Sequence, residues 1–161
     1  MQMIGPGAMQ AEFVVTNPLL EKLGGLPGRA TEGAAGMDLR ACIEDQVTLA
    51  PGQTYRFDLG FAMHIANPSV AALILPRSGL GSRGLVLANT IGLIDSDYTG
   101  PIVATALNRN SACGEVLTIK PGDRIFQLVF IPVVLVEPIR VSSFSGQSER
   151  GAGGFGSTGS S

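Results

Sequence analysis

Charge is scarce in this chain. Of its 161 residues, 15% are Asp, Glu, Lys or Arg, with 11 basic against 13 acidic for a net charge of -2, whereas about a quarter is usual in soluble proteins. No bulk electrostatic pull toward nucleic acid or acidic membranes follows, so an anion would have to be bound by a local basic pocket. Histidine and cysteine are nearly missing. The single His64 and the two cysteines, Cys42 and Cys113, are too few and too far apart for a zinc site or a disulfide framework, which excludes a metalloenzyme built on histidine ligands. A Ser-His-Asp triad would have to use His64, but that residue sits in the alternating run Phe61-Ala62-Met63-His64-Ile65 and reads as part of an ordinary strand. Long apolar runs are also lacking: the longest, Leu128 to Val136, contains Pro132 and falls far short of the ~20 residues of a spanning helix. No basic region followed by an apolar run opens the chain, so no secretory signal is expected, and the reading is a reducing, soluble compartment, the cytoplasm.

What the chain does have is glycine, 22 residues of it, together with 10 prolines. That glycine share is about twice the usual one and excludes a coiled coil and most helical bundles. From Phe13 to Val141 the segments are short, rich in Val, Ile, Leu, Thr and Phe, and broken by turn residues. Strands are expected at Val47 to Leu49, Thr54 to Leu59, Val70 to Leu75, Ile102 to Leu107, Val116 to Ile119 and Ile125 to Val134, with Pro51-Gly52 and Pro121-Gly122 as turns. The only helical turn expected is around Ser78 to Arg83. Many short strands with frequent turns imply an all-β barrel or double-sheet roll rather than a parallel sheet wrapped by helices. The layout is a loose arm over residues 1–11, one β-barrel domain over 12–141, and a Ser/Gly-dominated flexible tail over 142–161.

Four segments carry groups suited to chemistry. In the tail, Arg150 to Gly159 combines glycines that let backbone amides converge on an anion, the hydroxyls of Ser157 and Thr158, the forked cation of Arg150, and Phe155, a ring able to stack on a nucleobase. The Lys of a Walker loop is missing, so a P-loop unit is not indicated. A second anion-suited cluster, Pro76-Arg77-Ser78-Gly79-Leu80-Gly81-Ser82-Arg83-Gly84, follows a strand; a solvated turn is its plainer explanation. The third cluster is acidic, Gly92-Leu93-Ile94-Asp95-Ser96-Asp97-Tyr98, where Asp95 and Asp97 would share a face if extended, and where one carboxylate facing a triphosphate would activate water; the alternative is an Asp-rich turn capping a hairpin. In Gly36-Met37-Asp38-Leu39-Arg40, Met37 and Leu39 look inward, leaving Asp38 few plain roles except pairing with an arginine.

Taken in order, five motifs resemble those of the trimeric all-β deoxyuridine triphosphate nucleotidohydrolases (dUTPases), over about Ala30 to Gly159. They are Ala35-Gly36-Met37-Asp38-Leu39-Arg40-Ala41, Pro76 to Gly81, Asn89 to Gly100, Pro121-Gly122-Asp123-Arg124-Ile125-Phe126-Gln127-Leu128, and the Arg150 to Gly159 tail. The resemblance implies a single-domain, jelly-roll-like β barrel, a homotrimer whose active sites are each built from three chains, and magnesium-assisted cleavage of dUTP to dUMP and pyrophosphate. It implies that Asp95 holds and activates the attacking water, that Tyr98 packs against the deoxyribose and excludes a ribose hydroxyl, and that Asn89 reads the uracil edge. Arg77, Ser78, Gly79 and Gln127 match phosphate-contacting residues. Arg150, Ser157 and Thr158 match the tail residues that close over the γ-phosphate, Phe155 matches the ring stacking on uracil, and Gly156 is expected among the substrate-binding residues beside it. Asp38 would act on the magnesium ion through water. Two departures stand out: Gly81-Ser82-Arg83-Gly84 is where many members carry a Lys and sometimes an extra residue, and Pro101 removes a backbone donor, for which a modest local change is expected.

The related deoxycytidine triphosphate deaminases carry a glutamate ten residues beyond the motif-three aspartate, where this chain has Thr105. A single-stranded RNA binder using the Arg-Gly tail is disfavoured by the net negative charge and the lone arginine there. A dUTP sensor acting on a regulatory partner is not excluded by sequence, although intact Asp95 favours retained catalysis.

Overall fold

Alternation builds the largest elements. In the run Pro-Ile-Val-Ala-Thr-Ala-Leu-Asn, every second residue, Ile102, Ala104, Ala106 and Asn108, is buried, and the others face outward, as a strand with one covered face requires. The computed structural model describes residues 9–146, 148 and 151–152. Its elements are β1 (Glu12–Val15), α1 (Leu19–Lys22), β2 (Met37–Arg40), β3 (Val47–Leu49), β4 (Thr54–His64), β5 (Val70–Pro76), α2 (Ser78–Ser82), β6 (Leu85–Leu87), β7 (Gly92–Ile94), β8 (Pro101–Asn108), β9 (Leu117–Ile119) and β10 (Arg124–Pro132). They form two four-stranded antiparallel sheets, ordered β1-β4-β8-β6 and β2-β10-β5-β7, with a two-stranded sheet β3-β9. This is the all-β, jelly-roll-like architecture expected from the sequence.

The sheets enclose one core. Phe57, Leu59, Phe61 and Met63 of β4 and Leu85 and Leu87 of β6 meet Leu39 of β2, Ile74 of β5 and Phe126 and Leu128 of β10, all buried. Each large side chain removed from water contributes about 1.5–3 kcal/mol. His64 ends β4 opposite Glu12 of β1, its Nδ1 3.6 Å from the Glu12 carboxylate, so it is a strand residue as its alternating context indicated.

Two local features differ from expectation, and a third decides between two alternatives the sequence left open. Helix α1 is additional: the Asn17 side chain accepts a 3.0 Å hydrogen bond from the Leu19 amide, Pro18 fixes the entry, and Leu20 plugs the core; four residues are too few to show a helical period. Strand β10 stops at Pro132, not Val134, because its partner β5 begins at Val70, opposite Pro132. Past the 2.8 Å bond from the Val133 amide to the Ser69 carbonyl, the chain to residue 146 forms no regular element and exposes Val134, Leu135, Val136, Ile139 and Phe144. Finally, Asp95 to Tyr98 is a turn closed by the Tyr98 amide donating to the Asp95 carbonyl at 3.3 Å. The segment is therefore not extended, and Asp95 and Asp97 do not share a strand face.

Candidate functional site

Motifs one, two and four meet on the β2-β10-β5 face. Antiparallel register sets Gln127 of β10 between Asp38 of β2 and Leu75 of β5, and Arg77 follows directly after β5. Asp38 accepts from Arg77 Nε at 2.9 Å through one oxygen and from Arg124 Nη1 at 3.1 Å through the other. Arg77 Nη1 also donates to the Arg124 carbonyl at 3.1 Å. The single carboxylate thus holds two guanidiniums side by side, and the group keeps one net positive charge beside the exposed Ser78 and Gly79 of α2, a setting that favours phosphate oxygens. Gln127 Nε2 donates to the Pro76 carbonyl at 2.9 Å. Gly36 makes room for that amide: a Cβ there would stand 2.9 Å from Gln127 Oε1. The arginine pairing foreseen for Asp38 is what the structure holds.

Motif three forms a separate place. The connection from β6 to β7, which lie in different sheets, turns at Asn89-Thr90-Ile91, with the Thr90 amide donating to the Leu87 carbonyl at 3.0 Å. Thr90 sits at φ 71°, a left-handed conformation that costs a β-branched residue about 1–3 kcal/mol and that tends to occur where a loop is held for function. Asn89 lines a cleft of about 430 Å³ with Ile74, Leu87, Gly92 and Thr105. Beside it, Asp95 and Tyr98 line a smaller cleft of about 170 Å³ with Leu93, Ile94 and Pro101, and Val103 borders both. Thr105 therefore lies in the same cleft as Asn89, and the Ala88 amide donates to its carbonyl at 2.8 Å.

The two places do not meet within one chain. Strand β7 runs antiparallel to β5 with Gly92 opposite Ile74 and Ile94 opposite Ala72, so Asp95 falls beside Ala71, whereas Arg77 lies past the other end of β5. The six-residue offset along that strand amounts to about 20 Å, far longer than a triphosphate chain. Arg150, Phe155, Gly156, Ser157 and Thr158 lie outside the described residues.

The motifs give Arg124 no role of its own, and they mark Gly81 to Gly84 as a departure without showing what Arg83 contacts. Arg83 pairs with Glu115, which holds the Glu115 carboxyl below its ordinary value, chiefly through the hydrogen bond between them. Asn110 Nδ2 donates to the Arg83 carbonyl at 2.8 Å, and the wholly buried Asn108 donates to the Leu49 and Glu115 carbonyls, both at 2.9 Å. This bracing occupies the stretch where the sequence departs from the dUTPase pattern. Its signal was the pair of asparagines flanking Arg109, legible only once β8 and β9 are placed.

Comparison with known proteins covers nearly the whole of this arrangement. The dUTPase family model matches residues 24–159. A deoxyuridine 5'-triphosphate nucleotidohydrolase of Sodalis glossinidius is 53% identical over 135 residues, 83% of this chain and 87% of the relative. That of Hydrogenovibrio crunogenus is 45% identical over 94% of this chain and 98% of its own. Among solved structures, a Gly→Ser variant of the Staphylococcus bacteriophage 80alpha dUTPase with dUpNHpp superposes at TM-score 0.78 with 26% identity, covering 95% of this chain and 100% of that one. A dUTPase of phage phi11 of S. aureus, described with a structural Mg(II) ion, shares the fold at TM-score 0.69 and 24% identity, over 85% of this chain and 99% of its own. A match of this span, with relatives about half identical over most of their length, means that the chain belongs to the dUTPase family and is a dUTP diphosphatase.

Proposed function

We propose that the chain cleaves dUTP to dUMP and pyrophosphate through water attack on the α-phosphorus, in a homotrimer whose sites combine the Asp38-Arg77-Arg124-Gln127 face of one copy with the Asn89-Asp95-Tyr98 clefts of another. The observation that carries this reading is the separation of about 20 Å along β5 between Asp95 and Arg77, which no single triphosphate spans. The tail residues Arg150, Phe155, Gly156, Ser157 and Thr158 complete the site from a third copy, the ring over the uracil and the others over the phosphates, within the three-part layout of residues 1–11, 12–141 and 142–161. The ligand in this reading is a free nucleotide, neither nucleic acid nor membrane.

Each side chain has a step. Asp95, exposed in its turn, takes the proton of the attacking water as its oxygen bonds to the α-phosphorus, and the bond from that phosphorus to the bridging oxygen breaks to release pyrophosphate. Arg77, Ser78, the Gly79 backbone and Gln127 hold the phosphates and stabilise their growing charge. Asn89 reads the uracil edge and Tyr98 packs against the deoxyribose. Magnesium is the proposed cofactor. Among the described residues no group of three or more His, Cys, Asp or Glu forms a cage, while the oxygens of Asp38, each facing one guanidinium, retain lone pairs. Hard oxygen donors without a cage fit an ion held mainly by substrate phosphates, with Asp38 reaching it through water. When bound, the ion supplies neutralisation of phosphate charge. The cell would gain dUMP for thymidylate synthesis and keep uracil out of DNA, in the cytoplasm.

Pyrophosphate release from dUTP, UTP, dTTP and dCTP with magnesium tests this. dUTP alone should be cleaved efficiently, and Asp95→Asn should lose about 10²–10⁴-fold in kcat while binding an unhydrolysable dUTP analogue nearly as well. Equal cleavage of UTP or dTTP contradicts the pocket assignment. Ammonia release from dCTP would favour a deaminase, a reading opposed by Thr105 lying in the Asn89 cleft with no carboxylate to move protons at the base.

A further inference from the structure

Tyr98 is held in place from two sides. Its hydroxyl donates to the Pro101 carbonyl at 3.0 Å, so the side chain folds back over the residues that follow it. Beneath it lies Gly100. A Cβ on Gly100 would stand 2.5 Å from the Tyr98 hydroxyl oxygen and 2.7 Å from the ring carbon bearing it, where an ordinary contact begins near 3.4 Å, a shortfall of about 0.9 Å at the hydroxyl. The three atoms nearest that Cβ all belong to the Tyr98 side chain, and Gly100 is not among the residues at positive φ. Backbone conformation therefore does not require glycine here; the position of the phenol ring does.

We infer that Gly100 is a specificity-determining position, setting where the Tyr98 ring stands and thereby how the site discriminates deoxyribose from ribose. The inference rests on the proposed role of Tyr98 and goes beyond it. A ring at the end of a rotatable side chain gives way more readily than a packed strand, so Gly100→Ala displaces the ring and leaves the fold nearly as stable as before. The displaced ring no longer closes the space beside the sugar's 2' carbon, which admits a hydroxyl. Pro101 supports the same arrangement: as the first residue of β8 it needs no ladder donor, and its carbonyl serves as the anchor.

The test compares Gly100→Ala, Tyr98→Ala and the unaltered protein in kcat/KM for dUTP and for UTP, in dissociation constants for dUMP and UMP, and in thermal midpoint. For Gly100→Ala, the dUTP-to-UTP ratio of kcat/KM should fall at least about tenfold, in the range a single pocket group controls, with the dUMP-to-UMP affinity ratio falling in parallel and the midpoint within about 2 °C of the unaltered protein. A Gly100→Ala ratio within about twofold of the unaltered value, alongside a Tyr98→Ala ratio that collapses, overturns the role of Gly100 while leaving that of Tyr98 standing. If Tyr98→Ala keeps the full ratio, the reading of Tyr98 fails and takes this inference with it. A thermal midpoint that drops steeply in Gly100→Ala with both ratios intact assigns the glycine to folding alone and also overturns the inference.

Discussion

Asp38→Asn removes one negative charge from between two guanidiniums and keeps the shape of the side chain. The Asp38 side chain is 16% exposed, against 30% for Arg77 and 46% for Arg124. The group therefore lies between exposed ion pairs, worth about 0–1 kcal/mol, and buried ones, whose breakage costs about 3–5 kcal/mol. Each oxygen accepts from a different arginine, so one charge-assisted hydrogen bond is lost to an amide nitrogen that only donates, the other weakens, and two cations are left facing each other, for an expected loss of about 2 kcal/mol. With a urea slope near 2 kcal/mol per molar, the unfolding midpoint should fall by about 1 M. Arg77 keeps its bond to the Arg124 carbonyl, so the slope itself should not change. The assay is urea unfolding at one fixed protein concentration, because subunit association shifts apparent stability, repeated at about 0.05 and 0.5 M salt. Partial burial should preserve most of the difference in high salt. A midpoint shift below about 0.2 M, or a difference that vanishes with salt, would refute the bridging role of Asp38.

Further outcomes follow from the same geometry. Asn108→Ala removes the side-chain donor of the Leu49 carbonyl and one of the two donors of the Glu115 carbonyl, which keeps Asn110 Nδ2, and should cost about 2 kcal/mol in urea unfolding; a loss under about 0.5 kcal/mol would show that water replaces the amide. Burial, followed by the charge of Asp58, pushes the Cys42 thiol above its ordinary value, while Cys113 is exposed. A thiol reagent at neutral pH should label only Cys113 in the folded protein and both cysteines in denaturant, and fast double labelling of folded protein would contradict the burial of Cys42. Glu115 is held below its ordinary value of 4.5 by Arg83. Its contribution to stability is thus present above that value and lost as pH falls through the lower folded-state value. An NMR titration should show Glu115 moving back toward 4.5 in Arg83→Met, and an unmoved titration would mean that the pair does not persist in solution.

Strands β3, β4, β5, β8, β9 and β10 were legible because alternation and Pro-Gly pairs mark them locally, and Ser78 to Arg83 read correctly as the helical turn α2. Strands β6 and β7 are three residues each, like β3 and β9, but have no Pro-Gly pair beside them, and become strands only through pairing with β8 and β5. At Asp95 the sequence left an extended segment and an Asp-rich turn both open, because Asp-Ser-Asp satisfies an alternating pattern as easily as a turn, and the structure has the turn. For the site, the motif residues were visible as motifs, and the arginine pairing of Asp38 with them. Their division was not: whether Asp95 and Arg77 lie at the same end of β5 depends on the antiparallel register of β5 and β7, which no local pattern encodes. The need for glycine at position 100 likewise depends on where the Tyr98 ring stands, which the local sequence does not encode.

Subunit mixing tests the divided site most directly. Asp95→Asn keeps the arginine face and loses the carboxylate, and Arg77→Ala keeps the motif-three clefts and loses the guanidinium proposed to hold phosphate; each alone should be nearly inactive. Unfolded together in equal amounts and refolded, they should recover about a quarter of the unaltered activity, since half of the arginine faces and half of the carboxylates remain intact and combine at random between copies. Recovery no greater than the sum of the two separate preparations would mean that each site lies within one chain, and would contradict the division read from β5.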